Sequence, residues 1–339
     1  MVDVSVIIVG WSTQGLVDNC LASVFKETSG ICCEVIYVDN GSTDGSVEMV
    51  RAKYPSVRVI ANQENTGFVF ANNQGIRGSQ GRYVLLLNSD TIVLENAIAK
   101  AVRFADQHPE AAAIGCRVLN PDGTLQRSCL VFHSLRNTFV MTFRLDKLFP
   151  WFQFFRNERM EGWDYGQVCE VEVIVGCFSL VRRKAIDQAG LMDADYFFYG
   201  DDRDWCYRFH QAGWKMLYTP EPRIIHFGGQ TAKRQADQFL LQQYGTLLQF
   251  MRKHKSWLEF QGARGLVAVF FLMRVPLWAV RGLFFPAQRA VAWNNLRAYA
   301  RGGLYAAFAW TRLLMNRQQW EARTVQALAA KAPFVESLP

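Results

Sequence analysis

No two of the eight cysteines are spaced as C-x-x-C, and several lie inside apolar runs. They read as small hydrophobes of a reduced, cytosolic chain. No G-x-G-x-x-G follows the first strand pattern, where Gly10 and Gly15 stand alone, so a dinucleotide-binding oxidoreductase is disfavoured. The absence of a Walker A sequence removes the P-loop nucleotide hydrolases. The absence of G-x-S-x-G removes the common serine-hydrolase arrangement. Only 20% of the residues are charged and 50% are hydrophobic, which excludes extended disorder. No apolar run reaches the roughly 20 residues that span a bilayer. Gly265–Met273 is broken by Arg274 and Val275–Val280 by Arg281, with Pro276 and Pro286 intervening. No basic stretch with a cleavable apolar segment opens the chain, so secretion is not expected.

What is there is unevenly distributed. The net charge is +7 over 339 residues, enough for one large core or two modest domains. Residues 251–317 alone hold eleven Lys/Arg against one acid, Glu259, and the remainder is mildly acidic. The basic, aromatic tail is therefore the part expected to meet an anionic surface. Arg264, Arg274 and Arg281 fall within a helical sector of roughly 100°, leaving a wide apolar face. Trp278, Trp293 and Trp310 suit a headgroup zone. Interfacial helices on the inner leaflet are the expected reading, ahead of a packed helical cap or dimer surface. Nucleic acid is not expected, because the aromatics sit among aliphatics.

Ahead of the tail, apolar runs alternate with helical periodicity. Strands are expected at Val4–Val9, Glu34–Val38, Val57–Ile60 and Val84–Leu87. Helices follow through Leu16–Val24, through Val47 and Val50, and over Ala71–Arg77. That order implies an α/β chain with a doubly wound, mostly parallel sheet of Rossmann-like type. A helix over 95–108, a strand at Ala113–Val118 and the turn Asn120-Pro121-Asp122-Gly123 come next. Residues 129–168, crowded with aromatics, read as a long surface loop with short helices. Strands are expected again at Val171–Gly176 and Phe178–Val181, with a helix up to Gly190 and another opening near Asp201. Lys215–Tyr218 and Ile224–Phe227 read as two short final strands, and beyond about 232 the pattern is helical.

Acid recurs at the ends of these elements. Asp39 ends the second strand and Asp90 the fourth, so both face the crevice at the carboxyl edge of one sheet. Asp90 alone would as readily cap the next helix. Asp201 and Asp202 open a helix behind an aromatic run, which desolvates a carboxylate and suits a general base. His226 lies between apolar neighbours; taken alone it reads as a core histidine, and the Asp201-Asp202 pair alone equally as an N-terminal cap.

Five stretches resemble, in order and spacing, the family 2 glycosyltransferases of the GT-A fold. They are Val4–Val9, Val38–Asp44, Asn65–Phe68 with Ala71–Ile76, Leu85–Asp90 and Phe197–Trp205. The flavour is that of the bacterial rhamnosyltransferase-like branch, and the resemblance covers roughly residues 3–235. It implies inverting transfer of a sugar, rhamnose from its dTDP donor, to a lipid-linked saccharide of a cell-surface polysaccharide. By position, Asp39 would hold the N3–H of uracil or thymine. Val9, Asn40, Asn65, Gly67, Phe68, Asn72 and Asn88 would line the nucleotide-sugar pocket. Asp90 would bind a divalent metal, Mg²⁺ or Mn²⁺, with His226 as a further ligand. Asp202 would be the base, and Asp201 would orient its loop or touch the acceptor. The family often carries an acid where Asn88 stands, which leaves Asp90 as the carboxylate of that turn.

On this reading 1–115 is the nucleotide-sugar half, 116–245 the acceptor and catalytic half, and 246–339 a helical, membrane-associating region. The enzyme would be cytoplasmic and peripheral to the inner face of the membrane. A transferase for another UDP- or dTDP-sugar is the near alternative. An inactive glycosyltransferase-like membrane subunit is the alternative from another class.

Overall fold

The computed structural model describes residues 1–149, 151–152, 155, 163–197, 199–228 and 236–314, in two compact units. The first comprises the described residues of 1–131 and 163–228, the second those of 132–155 and 236–314.

Twelve strands run through the described residues of the first unit. They are β1 (Val4–Gly10), β2 (Cys33–Asp39), β3 (Arg58–Ala61), β4 (Tyr83–Asn88), β5 (Thr91–Leu94) and β6 (Ala111–Leu119). Then come β7 (Leu125–Gln126), β8 (Cys129–Leu130), β9 (Cys169–Val171), β10 (Val173–Ile174), β11 (Phe178–Arg182) and β12 (Lys215–His226). The main sheet is ordered β3-β2-β1-β4-β11-β6-β12-β5, with β7 beside β6 and β9 beside β12.

The first four strands pair in parallel, as expected from their apolar runs. Val6, Ile7, Ile8, Leu85 and Leu86 are buried, because helices cover both faces of a parallel sheet. The covering helices bury one stripe each. Gln14–Lys26 turns Val17, Cys20, Leu21 and Val24 inward, and Ala97–Gln107 turns Ile98, Ala101, Val102 and Ala105. Registers align the carboxyl ends, with Gly10 opposite Asp39 and Val9 opposite Asn88. The chain order reverses between β1 and β4, the switch point at which open α/β sheets hold ligands.

Three features depart from the expected layout. Behind Asp90 the chain enters β5, a four-residue strand, and the next helix begins only at Ala97 with Asn96 as its cap. Asp90 is therefore no helix cap. The period-two burial of Thr91 and Val93 marks the strand, but four residues are too few to outweigh the helical pattern behind them. β11 enters antiparallel between β4 and β6, so the sheet is mixed though mostly parallel. The two short strands expected at 215–227 are one, β12, whose register slips between Tyr218 and Arg223. Pro220 and Pro222 lie in that interval and cannot donate to a neighbour, so pairing lapses while the strand continues.

The second unit is helical. Its helices are Leu135–Phe143, Leu145–Leu148, Ala236–His254, Trp257–Leu272, Val275–Phe284 and Arg289–Phe308. The region expected to be a long loop with short helices holds Leu135–Phe143, capped by the Ser134 hydroxyl, which accepts from the Asn137 N–H, and the single turn Leu145–Leu148. Residues 150, 153–154 and 156–162 of that loop lie outside the described residues, as do Phe198, 229–235 and the helical pattern beyond 314. Ser256 and Glu259 form a reciprocal capping box at the head of Trp257–Leu272. Gly302 and Gly303 bring Arg289–Phe308 against Phe271 and Leu272 so closely that a Cβ would meet them at 2.7 and 2.6 Å.

The helical span Trp257–Phe284 is long and apolar enough to cross a membrane by length and composition. Its helix ends at Leu272 and a new one starts at Val275, with Arg274 at the junction. Leu277, Val280, Leu283 and Phe284 are all more than half exposed.

Candidate active site

The carboxyl ends of β1, β2 and β4 carry a satisfied polar network. Asp39 is 1% exposed and both of its oxygens are engaged. Oδ1 accepts from the Tyr37 hydroxyl at 2.9 Å, and Oδ2 from the backbone N–H groups of Gly41 (3.1 Å) and Ser42 (2.9 Å). Tyr37 lies two residues earlier on the same strand face, a partner that period-two alternation would have found. Burial first, and the Asp39 charge second, push the Tyr37 phenol well above its usual range, so it stays a donor.

Asn40 clamps the next loop. Its Nδ2 donates to Asn65 Oδ1 (2.8 Å), and its Oδ1 accepts from the Thr66 N–H (2.9 Å) and hydroxyl (2.8 Å). Gly67 has φ +86°, and a Cβ there would come within 2.8 Å of the Phe197 ring. Glycine is thus required both for the turn and for the close approach of Phe197. Phe68 starts the next helix, and Asn72 Nδ2 donates to the Phe68 carbonyl at 2.9 Å. Asn73 exchanges two hydrogen bonds with the Met192 backbone, tying that helix to the approach to Asp201.

β4 ends in Asn88, and the turn carries Asp90 into β5, whose Thr91 pairs with His226 of β12. Asp90 Oδ1 and His226 Nε2 are 3.2 Å apart, and Asn88 Nδ2 lies 3.3 Å from the same nitrogen. Asp90 and His226 are 23% and 13% exposed, so the pair opens to solvent. Sequence reasoning missed Gln126 of β7, whose Oε1 is 2.5 Å from His226 Nδ1. Its only local signal is the turn before it, and the contact spans a hundred residues.

Asp201 and Asp202 begin the helix Asp201–Gln211. Asp202 is partly buried, and a Cβ on Gly176 would lie 2.8 Å from its Oδ1, so the absent side chain there admits the carboxylate. Burial raises Asp202 to about 6, opposed by the Gly176 N–H and by Arg203. Asp201 is 5% exposed, its Oδ2 has no hydrogen-bonding partner among the described residues, and burial with the Asp202 charge drives it well above the carboxylate range. Both carboxyls of the pair are thus held above the ordinary range, and Asp202, raised to about 6, can accept a proton near neutrality. Asp204 is spent on structure, since its side chain is wholly buried against Arg208 at 2.9 Å.

Gly176 and Cys177 join the two acidic groups. Cys177 O accepts from the Asn88 N–H at 3.2 Å, and its neighbour Gly176 touches Asp202. The Cys177 thiol is pushed up to about 12, first by burial and then by the Asp202 and Asp90 charges. Asp39 sits apart, beyond β1, about 9–10 Å away across two strand spacings. One end of the sheet thus presents an acceptor-rich loop, a carboxylate–imidazole pair and a near-neutral carboxylate. Among the described residues no cluster of three His, Cys, Asp or Glu converges on one point. Asp90 and His226 can give a cation one oxygen and one nitrogen, and among the described residues no third His, Cys, Asp or Glu joins them. A hard anionic ligand such as a diphosphate completes such a half-shell, and the imidazole suits Mn²⁺ better than Mg²⁺.

Residues 5–190 match the profile of Glycosyl transferase family 2. The chain is 27% identical over 294 residues to the N-acetylglucosaminyl-diphospho-decaprenol L-rhamnosyltransferase of Mycobacterium tuberculosis, covering 79% of this chain and 86% of that one. Identity to the O-antigen biosynthesis protein RfbC of Myxococcus xanthus is 24% over 236 residues, covering 69% of this chain and 18% of that one. Among solved structures, the mannosyltransferase PcManGT from Pyrobaculum calidifontis, in complex with GDP-Man and Mn²⁺, superposes with a TM-score of 0.53 at 17% identity. That match covers 89% of this chain and 87% of the other. A sheet of this order, a profile spanning more than half the chain and relatives that are glycosyltransferases agree: the chain belongs to glycosyl transferase family 2, has the GT-A fold and is a glycosyltransferase.

Proposed function

We propose that the enzyme transfers rhamnose from dTDP-rhamnose to a lipid-linked saccharide in cell-surface glycan synthesis, with inversion at the anomeric carbon. The observation that carries the sugar and the acceptor is the similarity to the mycobacterial rhamnosyltransferase, which extends over most of both chains. Support for the chemistry comes from the near-neutral Asp202, joined through Gly176 and Cys177 to the Asp90 turn. Asp39, Asn40 and the Asn65–Phe68 loop bind the base and ribose side of the donor, with Val9, Asn72 and Asn88 lining the same pocket. Asp90 and His226 would hold a divalent cation, Mg²⁺ or Mn²⁺, on the diphosphate side of the donor. A cation bound there would supply neutralisation of the charge that develops on the leaving nucleoside diphosphate. Asp202 takes the proton of the acceptor hydroxyl as that oxygen attacks the face opposite the diphosphate. Asp201, protonated, donates toward the acceptor or its own loop.

A thermal-shift panel of nucleotide sugars with Mn²⁺ or Mg²⁺ tests the donor. The largest stabilisation is expected from dTDP-rhamnose, with other dTDP- and UDP-sugars next. Stabilisation by GDP- or CMP-sugars alone would contradict the proposed base contact of Asp39.

The second unit is proposed to lie on the inner membrane leaflet, where a lipid-linked acceptor is presented. Its exposed Leu277, Leu283, Phe284 and Phe308 supply the apolar face, and the Arg/Lys excess of 251–317 supplies attraction for anionic headgroups. The full chain is expected to co-sediment with phosphatidylglycerol vesicles, less in high salt, and little with phosphatidylcholine. Equal binding to both at every salt concentration rules out the electrostatic part of this proposal.

A further inference from the structure

The hairpin of β6 and β7 ends beneath His226. Its turn is closed by Asn120, whose N–H donates to the Thr124 carbonyl at 2.8 Å, and by Asp122, whose Oδ1 accepts from the Thr124 N–H (3.0 Å) and hydroxyl (2.6 Å). Gln126 follows, with Oε1 2.5 Å from His226 Nδ1. Which of the two atoms carries the hydrogen is decided at the other end of the amide. Gln126 Nε2 donates to Asn120 Oδ1 at 2.8 Å and to the His226 carbonyl at 3.2 Å. Turning the amide over would set its oxygen against two oxygens that can only accept. Oε1 must therefore accept and Nδ1 must donate. On the far side Nε2 faces the Asn88 amide nitrogen, a donor, at 3.3 Å and the Asp90 carboxylate oxygen, an acceptor, at 3.2 Å, so the Gln126 side alone decides the tautomer.

We propose that Gln126 is a positioning residue: it fixes His226 in the Nδ1–H tautomer and so directs the Nε2 lone pair at Asp90, presenting the ring ready to ligate a divalent cation. The backbone holds the same histidine from two sides, through Thr91 of β5 and through Ile225, which pairs with Leu119 of β6. Ring direction and tautomer are thus set by one hairpin before any cation arrives. The clause about the cation rests on the proposed role of Asp90 and His226; the tautomer does not. Partners of this kind on a ligating histidine typically change metal affinity by about 10–100-fold.

The tautomer is read by nitrogen NMR of ¹⁵N-histidine-labelled, metal-free protein at about pH 8.5, two units above the ordinary histidine value. The expected spectrum has Nδ1 protonated and Nε2 bare. Gln126→Leu is expected to lose that preference and to weaken Mn²⁺ binding, by calorimetry, about 10–100-fold. If Gln126→Leu does not fold, Asn120→Ala, which leaves Gln126 in place but frees its amide, shifts both readouts in the same direction. A wild-type ring protonated on Nε2 overturns the proposal, and so does a folded Gln126→Leu chain with unchanged tautomer and affinity. An Nδ1–H ring in a wild-type chain that binds no Mn²⁺ contradicts the cation role of the pair and upholds the hold of Gln126 on His226.

Discussion

Asp202→Asn is expected to reduce sugar transfer by roughly 10²–10⁴-fold, the range that one general base supplies. The amide has the size of the carboxylate and keeps an oxygen for the Gly176 N–H, so the helix start at Asp201 should survive. Asp39, Asn40 and the loop around Gly67 are untouched, so thermal stabilisation by the donor nucleotide should persist. Loss of transfer with retained nucleotide binding identifies a residue of the chemical step. Unchanged turnover would remove Asp202 from that step.

The same substitution has a consequence for stability. In the fold Asp202 titrates at about 6, above the ordinary 3.8, so folding favours its protonated form. That stabilisation is complete below the unfolded value and is lost as pH rises through about 6. Wild type should therefore lose stability relative to Asp202→Asn between about pH 4 and 6, while its activity rises over the upper part of that window and just beyond it. Asp201, raised well above the carboxylate range by burial and by the Asp202 charge, adds to the conflict.

Asp90→Ala is expected to abolish detectable Mn²⁺ binding in calorimetry and to lower transfer by about 10²–10³-fold, the scale of losing one preorganised charge stabiliser. His226 would remain, yet one imidazole without its carboxylate is a weak site for a divalent cation. The turn itself should persist, because the Phe227 N–H donates to the Asp90 carbonyl at 2.9 Å, a backbone bond indifferent to the side chain. An Asp90→Ala enzyme that still needs Mn²⁺ with wild-type affinity would move the cation elsewhere. Asn88 makes this test demanding, since the turn carries no second acid to take over.

The first half of the fold was legible because parallel strands buried on both faces announce themselves as apolar runs. Val4–Val9 and Val84–Leu87 each read correctly from a few residues, and the acids that end strands followed from them. The second half was less legible because its pairings mix parallel and antiparallel and join distant stretches. Nothing near Phe178 says that β11 inserts beside Leu87, some ninety residues earlier. β5 is too short for its alternation to register, so Asp90 could be mistaken for a helix cap. His226 looked like a core histidine because its sequence neighbours are apolar. Its functional neighbours, Asp90, Asn88 and Gln126, arrive from β4, its turn and a hairpin. Gly176 escaped notice for a related reason: the contact that explains it is the absence of a Cβ beside Asp202.

The most direct test of the proposed base is the pH profile of single-turnover transfer from dTDP-rhamnose at saturating donor and Mn²⁺. The rate should rise with a slope of one and level off above an apparent pKa near 6, the value that burial gives Asp202. The residual activity of Asp202→Asn should lack that limb. A wild-type profile flat from pH 5 to 8, or a limb near 6 that survives in Asp202→Asn, would contradict the account.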